Sequence, residues 1–141
     1  MQKKSFIILS VLLLTVSAKA QSLQAGLWKT KSVFVVSGIT LPSSDGEDCV
    51  SAEEAKDIKL SITKELKKNG CSLDSWKTKA ATLEASLTCK NDQLDAKGIL
   101  AGPFTTKSYT LTGNAKGVIQ GSIPASADIK LTGVWTKECK P

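Results

Sequence analysis

The sequence predicts a mainly β protein, an antiparallel meander curled into a small barrel or half-barrel, with one α-helix inserted after the first strand. Two observations support this fold class. Short stretches rich in β-forming residues recur about every ten residues, separated by turn-forming residues. One stretch instead repeats its apolar residues every three or four positions. The predicted strands are Leu27–Val36, Cys71–Thr78, Thr82–Lys90, Gln93–Leu100, Phe104–Thr112, Gly117–Ile123 and Ala127–Trp135.

The first twenty residues have the three parts of a secretory signal peptide. Lys3 and Lys4 precede an apolar run, and the segment closes with Ala18, Lys19 and Ala20. We therefore expect cleavage after Ala20 and a periplasmic or secreted protein. The apolar run is too short to span a bilayer, so no transmembrane segment is predicted. Residues 21–141 fit one disulfide-stapled β-rich domain.

The predicted helix runs from Ser51 to Lys68. Ser51 and Glu54 have the spacing of a capping box, in which each side chain bonds the other residue's backbone amide. Asn69 and Gly70 are typical of a helix end. Because Ser61 and its neighbours are weak helix formers, a break is expected near Leu60–Ser61.

Polar, turn-rich stretches connect the predicted strands. Ile39–Cys49 follows the first strand and reads as a loop. Later turns are expected at Gly102-Pro103, at Gly113-Asn114 and at Pro124–Ser126.

Four cysteines fit two disulfides in an exported protein. A hairpin that turns at Ala80 would place Cys71 opposite Cys89, Leu73 opposite Leu87 and Ser75 opposite Ala85. The same register puts Trp76 on the outward face. Pairing Cys71 with Cys89 leaves Cys49 and Cys139 for the second bridge. The cysteine spacing and the absence of His argue against a zinc site, so no metal ion and no cofactor are expected.

The charge of the chain gives little indication of a partner. Its 19 basic residues fall to 16 once Lys3, Lys4 and Lys19 leave with the signal peptide, so the net charge drops from +6 to +3 against 13 acidic residues. A surplus of this size fits a solvated surface, and no nucleic-acid partner is expected.

Several segments of the mature chain together resemble a known family. They are Gly26-Leu27-Trp28, Leu41-Pro42, the run from Cys49 to Asp57, Asn69-Gly70-Cys71, Leu87-Thr88-Cys89 and the end from Gly133 to Cys139. They look like the "domain of unknown function 3617" family of small exported proteins of Gram-negative bacteria. The resemblance supports the fold, the compartment and the cysteine pairing. It implies no active residue, because its motifs are glycines, a helix cap and cysteines.

The first functional hypothesis is non-catalytic binding of a small apolar or amphipathic ligand in the cell envelope. A curled sheet covered by one helix has an inner face that could hold such a molecule. Aromatic side chains are the candidate lining, although the same rings also suit an ordinary filled core. They are Trp28, Phe34, Phe104, Tyr109 and Trp135.

The alternative is a protein-interaction or inhibitor domain that acts on an envelope partner through the loops Pro42–Asp48 and Ala101–Pro103. An enzyme is not expected. Without His there is no Ser-His-Asp machinery, and helix capping already explains Glu53 and Glu54.

Overall fold

The computed structural model describes residues 22–140, so the expected signal peptide Met1–Ala20 lies outside the described residues. Within this range the chain forms eight strands and two helices. In chain order they are β1 (Gly26–Val36), β2 (Ile39–Thr40), β3 (Ser44–Val50), α1 (Ala52–Ala55), α2 (Ile58–Lys67), β4 (Cys71–Lys79), β5 (Thr82–Lys90), β6 (Leu94–Pro103), β7 (Ser108–Ile119) and β8 (Ile123–Lys137).

All eight strands belong to one antiparallel sheet, which confirms the predicted fold class. The strand order is β2-β1-β8-β7-β6-β5-β4, and β3 pairs with β1 along the same edge as β2. Within residues 22–140 no pairing joins β4 to β2 or β3, so the sheet is open. Of the two predicted forms, the structure fits the half-barrel.

The core lies between the helices and one face of the sheet, which we call the inner face. Alternate residues of each strand point to this face because the side chains of a strand alternate. Ile58, Ile62 and Leu66 of α2 are buried against leucines of four successive strands. Full burial of such a side chain stabilises a fold by roughly 1.5–3 kcal/mol. The leucines are Leu87, Leu100, Leu111 and Leu131.

The predicted capping box is present, but the single predicted helix is two. Ser51 Oγ accepts from Glu54 N at 3.2 Å, and Glu54 Oε2 accepts from Ser51 N at 3.0 Å. The break falls at Asp57 and not at Leu60–Ser61. Asp57 has an extended backbone and accepts from Lys59 N at 2.9 Å, so it caps a second helix.

The prediction of a loop at Ile39–Cys49 is wrong, because most of this segment forms β2 and β3. Seven residues of β3 pair with β1, from Ser44 opposite Ser32 to Val50 opposite Gly26. Asp and Gly are depleted in strands, but pairing with a long neighbour overrides this weak preference. Polar residues also suit an edge strand, where they discourage pairing with other chains.

The last part of the chain forms three strands where the sequence predicts four. Gly113-Asn114 lies inside β7 and is no turn. A Cβ on Gly113 would lie 2.0 Å from the carbonyl oxygen of Ile99, so this glycine allows β6 to approach closely. The real turn is at Gln120-Gly121, where both residues have positive φ. The stretch Pro124–Ser126, predicted as a turn, belongs to β8.

The hairpin register is confirmed for Cys71 with Cys89 and for Leu73 with Leu87, and then it changes. Asp74 is an extra residue, so Ser75 pairs with Ser86 and not with Ala85. Trp76 therefore faces Ala85 and packs partly buried against the core. The prediction that Trp76 points outward is wrong because a one-residue shift moves a side chain to the other face.

Both predicted cysteine pairs are within bonding distance in the structure. Cys71–Cys89 links the two strands of the hairpin, and Cys49–Cys139 links the end of β3 to the tail after β8.

Candidate functional site

The helices cover only part of the inner face. Beyond the end of α2, an apolar groove of about 180 Å³ remains between the sheet, the residue after β2 and the link from α2 to β4. An apolar cavity of roughly 150 Å³ is enough to hold benzene. We call this feature the apolar groove. Its lining is Phe34, Val36, Leu41, Asn69, Cys71, Cys89, Asn91, Leu94, Ala96, Ala115, Ala127 and Ile129.

Small side chains account for the hollow. Ala96, Ala115 and Ala127 lie on β6, β7 and β8, and all three belong to the inner face. Ala115 and Ala127 are direct partners across the two strands. Phe34 and Ile129, another cross-strand pair, add larger apolar side chains beside them. The cysteines of the lining are joined to each other, so they contribute apolar sulfur rather than a reactive thiol.

Two asparagines supply the polar part of the lining. Asn91 Oδ1 accepts from the backbone nitrogens of Gln93 and Leu94, at 2.9 Å each, and so shapes the β5–β6 turn. Asn69 Nδ2 is buried and has no hydrogen-bond partner. All twelve lining residues are uncharged, which suits an apolar occupant.

Leu41, the residue after β2, lies at the edge of the groove. The backbone nitrogen of Leu41 donates to the carbonyl of Phe34 at 2.9 Å and holds the Leu41 side chain beside the groove. Ile39 is 69% exposed and Leu41 is 42% exposed. Leu41, which lines the groove, is therefore partly open to solvent, and Ile39 of β2 is more exposed still.

The five rings predicted as a ligand lining do not form one site. Trp28, Phe104 and Tyr109 are buried in the core, and the rings of Trp28 and Tyr109 stack with their centroids 6.1 Å apart. Trp135 is partly buried, and its Nε1 donates to the carbonyl of Ala25 at 3.0 Å. Phe34 alone among the five lines the groove.

A second cavity, beneath α2, is the size of one water molecule. It measures about 30 Å³ and lies beside Trp28, Tyr109, Ser61 and Glu65. Burial, and to a smaller extent the negative charge of Glu65, raises the pKa of Tyr109 above its ordinary value. The phenol therefore stays protonated at neutral pH. This cavity is too small for an organic ligand.

A buried carboxylate beside this cavity ties α2 to the sheet. Glu65 Oε1 accepts from Ser32 Oγ at 3.1 Å, and Glu65 Oε2 accepts from Lys68 Nζ at 2.9 Å. Lys68 Nζ also donates to Asp48 Oδ2 at 2.8 Å. The hydrogen bonds to Asp48 and to Glu65 raise the pKa of Lys68. These contacts join α2 to β1 and β3, so they explain the buried charge.

The paired glutamates of α1 have structural partners. Glu54 accepts from Ser51 and lies 3.4 Å from Lys64 Nζ, and Glu53 pairs with Lys56 at 2.9 Å. The backbone hydrogen bond from Ser51 lowers the pKa of Glu54. Within residues 22–140 no three His, Cys, Asp or Glu side chains are placed to hold a metal ion. In the same range neither helix has the length and apolar character to cross a membrane.

Comparison with known proteins gives the family. The family model described as "Protein of unknown function (DUF3617)" matches residues 23–139. The chain belongs to the DUF3617 family. This match confirms the resemblance seen in the sequence, and it includes every strand, both helices and all four cysteines of this DUF3617 protein. No curated protein and no solved structure shows significant similarity to it.

Proposed function

We propose that this DUF3617 protein binds a small apolar or amphipathic molecule without transforming it, and that it does so in the cell envelope. The observation that carries the proposal is the apolar groove, a hollow of about 180 Å³ with a lining of twelve uncharged residues. An apolar molecule gains about 25 cal/mol for each Å² of surface that it removes from water in such a site. The groove therefore supplies a driving force for binding.

The composition of the groove favours binding over catalysis. Ten of its twelve lining residues are apolar, and the other two are asparagines. Carboxylates, lysines and hydroxyls, which serve as proton donors, bases and nucleophiles, are not part of this lining. The Oδ1 of Asn91 already accepts two backbone hydrogen bonds in the β5–β6 turn, so it is not available to a reacting group.

Two features support the proposed location in the envelope. The described residues contain two disulfides, which persist in oxidising compartments such as the periplasm. The first twenty residues have the sequence pattern of a secretory signal peptide.

The alternative, a protein-interaction or inhibitor domain, has weaker support. It relies on the two predicted loops Pro42–Asp48 and Ala101–Pro103. Most of the first is part of the paired strand β3, and the second is the end of β6. Paired strands lack the freedom of loops that insert into a partner's cleft.

A fluorescence titration tests the proposed function. N-phenyl-1-naphthylamine is dim in water and bright in apolar sites, and we expect saturable brightening with the wild-type protein. Ala127→Phe should abolish it, because the ring would fill the groove next to Ala115.

Ala101→Phe is the matched control, since Ala101 is on the outer face of β6 beside Thr112. It should bind the probe as the wild type does, and both variants should keep a folded circular dichroism spectrum. No saturable brightening with the wild type, or equal brightening with folded Ala127→Phe, would overturn the proposal.

A further inference from the structure

We infer that the ligand is an extended hydrocarbon chain, and that its far end lies outside the groove along β7 and β8. This inference rests on the proposed function and narrows it to a class of molecule. It comes from the residues that continue the groove floor toward the β7–β8 turn. They form three successive cross-strand pairs, Ala115 with Ala127, Gly117 with Ala125, and Ile119 with Ile123.

These three pairs form one continuous apolar surface, which we call the apolar track. Side chains of a strand alternate between its faces, so positions two apart share a face. Ala127 is on the inner face, and Ala125 and Ile123 follow on the same face. The intervening residues Lys116, Ser126 and Pro124 belong to the outer face. The floor of the groove therefore continues on the same face of β7 and β8 from Ala127 to Ile123.

The track becomes more exposed along its length. Ala127 is 8% exposed at the groove, whereas Ile123 is 54% exposed at the far end. The two residues are four steps apart along the strand, a distance of about 14 Å. A single exposed isoleucine on a protein surface needs no explanation. Ile123 continues an apolar groove, and contiguous apolar surface of this kind marks binding sites.

The shape of groove and track selects the class of ligand. The track is about 14 Å long and only two strands wide, and neighbouring strands are about 4.8 Å apart. A single extended acyl or alkyl chain matches this outline, and its inner end would fit between Ala96, Ala115 and Phe34 in the groove. A compact ring system would fill the groove and leave Ile119 and Ile123 in water.

A chain-length series tests the inference. The probes are 1-hexanol, 1-octanol and 1-decanol, which share one uncharged head group, and each displaces N-phenyl-1-naphthylamine. In the wild type we expect the dissociation constant to fall through the whole series, by about two- to fourfold for each added methylene that is covered.

The variant Ile123→Ser removes the apolar end of the track. We expect it to bind 1-hexanol as the wild type does, and to show no gain from 1-octanol to 1-decanol. Ile99→Ser is the matched control, because Ile99 is also 54% exposed but lies on the outer face of β6. It should keep the full dependence on chain length.

The outcomes separate the two proposals. If neither the naphthylamine nor any of the alcohols binds, the proposed function fails. If they bind but Ile123→Ser keeps the wild-type dependence on chain length, or if the wild type shows no gain beyond 1-hexanol, the binding site stands and the extended-chain inference is overturned.

Discussion

At the scale of single residues, the sequence predicts the capping box but not the burial of Glu65. Ser51 and Glu54 are three residues apart, so their reciprocal bonds follow from a local pattern. Glu65 and Ser32 are 33 residues apart, and no local pattern links them. From the sequence alone, a glutamate on a helix is predicted to face solvent. The partners of Glu65 become known only from the fold.

Loss of Lys68 tests how much this charged cluster holds α2 on the sheet. Lys68→Met leaves Glu65 Oε2 without its donor and should lower the free energy of unfolding by about 1 kcal/mol, a value reduced for the partial exposure of the ammonium. Lys67→Met, one position away and exposed, should change it little. Urea denaturation measures both.

The raised pKa of Lys68 sets the pH dependence of this effect. A raised pKa means that the folded state favours the charged form, so the contribution is fully present below the ordinary value of 10.5. It is lost as the pH rises through the raised pKa. The stability difference between wild type and Lys68→Met should therefore shrink at strongly alkaline pH, and a constant difference would count against the bonds to Asp48 and Glu65.

Loss of the helix cap is the second test at this scale. Ser51→Ala should lower stability by about 1 kcal/mol, because it removes the Oγ that accepts from Glu54 N. The variant keeps the backbone N–H of Ser51, which is the main cause of the lowered Glu54 pKa, so that pKa should stay below 4.5. Because the pKa of Glu54 is lowered, its carboxylate contributes stability at pH values above its ordinary pKa of 4.5. This contribution is lost as the pH falls through the lowered pKa. Ser43→Ala is the control.

Carbon-detected NMR titration of Glu54 and denaturation near pH 7 measure the two effects. A Glu54 pKa at its ordinary value in the wild type, or a Ser51→Ala variant with unchanged stability, would show that the capping box does not form in solution.

At the scale of elements, the sequence predicts strands well where alternation and pairing agree, and poorly at edges and irregularities. Matching patterns on both strands predict the β4–β5 hairpin, whereas the extra residue Asp74 has no sequence signature of its own. The edge strand β3 has no strand signature in the sequence because its residues are mostly polar. Its partner β1, not its own composition, makes it a strand.

The two disulfides stabilise elements over different spans. Cys71 and Cys89 are 18 residues apart, and Cys49 and Cys139 are 90 apart. In the chain-entropy treatment these loops correspond to about 3 and about 4.5 kcal/mol. We expect the variant with alanines at Cys49 and Cys139 to have a lower melting temperature than the variant with alanines at Cys71 and Cys89.

Peptide mapping without reduction should recover both pairs from the wild-type protein. A peptide that links Cys71 to Cys49 would contradict the hairpin register, and a Cys71→Ala/Cys89→Ala variant with unchanged stability would show that this bridge adds nothing.

At the scale of the whole molecule, the groove results from a sheet longer than the helices that cover it. The sequence predicts an inner face that could hold a ligand, with aromatic rings as its lining. Trp28 and Tyr109 instead stack beneath α2. Large rings fill space, so they are poor markers of a hollow.

The residues that make the groove could not be recognised in sequence. Ala96, Ala115 and Ala127 lie on three strands, and an alanine at an inner position is common in any core. The hollow exists because the strand register places these small side chains together at the end of the sheet that α2 leaves uncovered. Register across three strands is a property of the fold and not of any segment.

The most direct test of the central claim is an amide chemical-shift map of the ¹⁵N-labelled protein during titration with N-phenyl-1-naphthylamine. We predict that the largest shifts occur at Ala96, Ala115 and Ala127, and that Glu84, on the outer face of β5, does not move. Shifts centred on the outer face, or no shifts at a saturating probe concentration, would contradict a ligand site in the apolar groove.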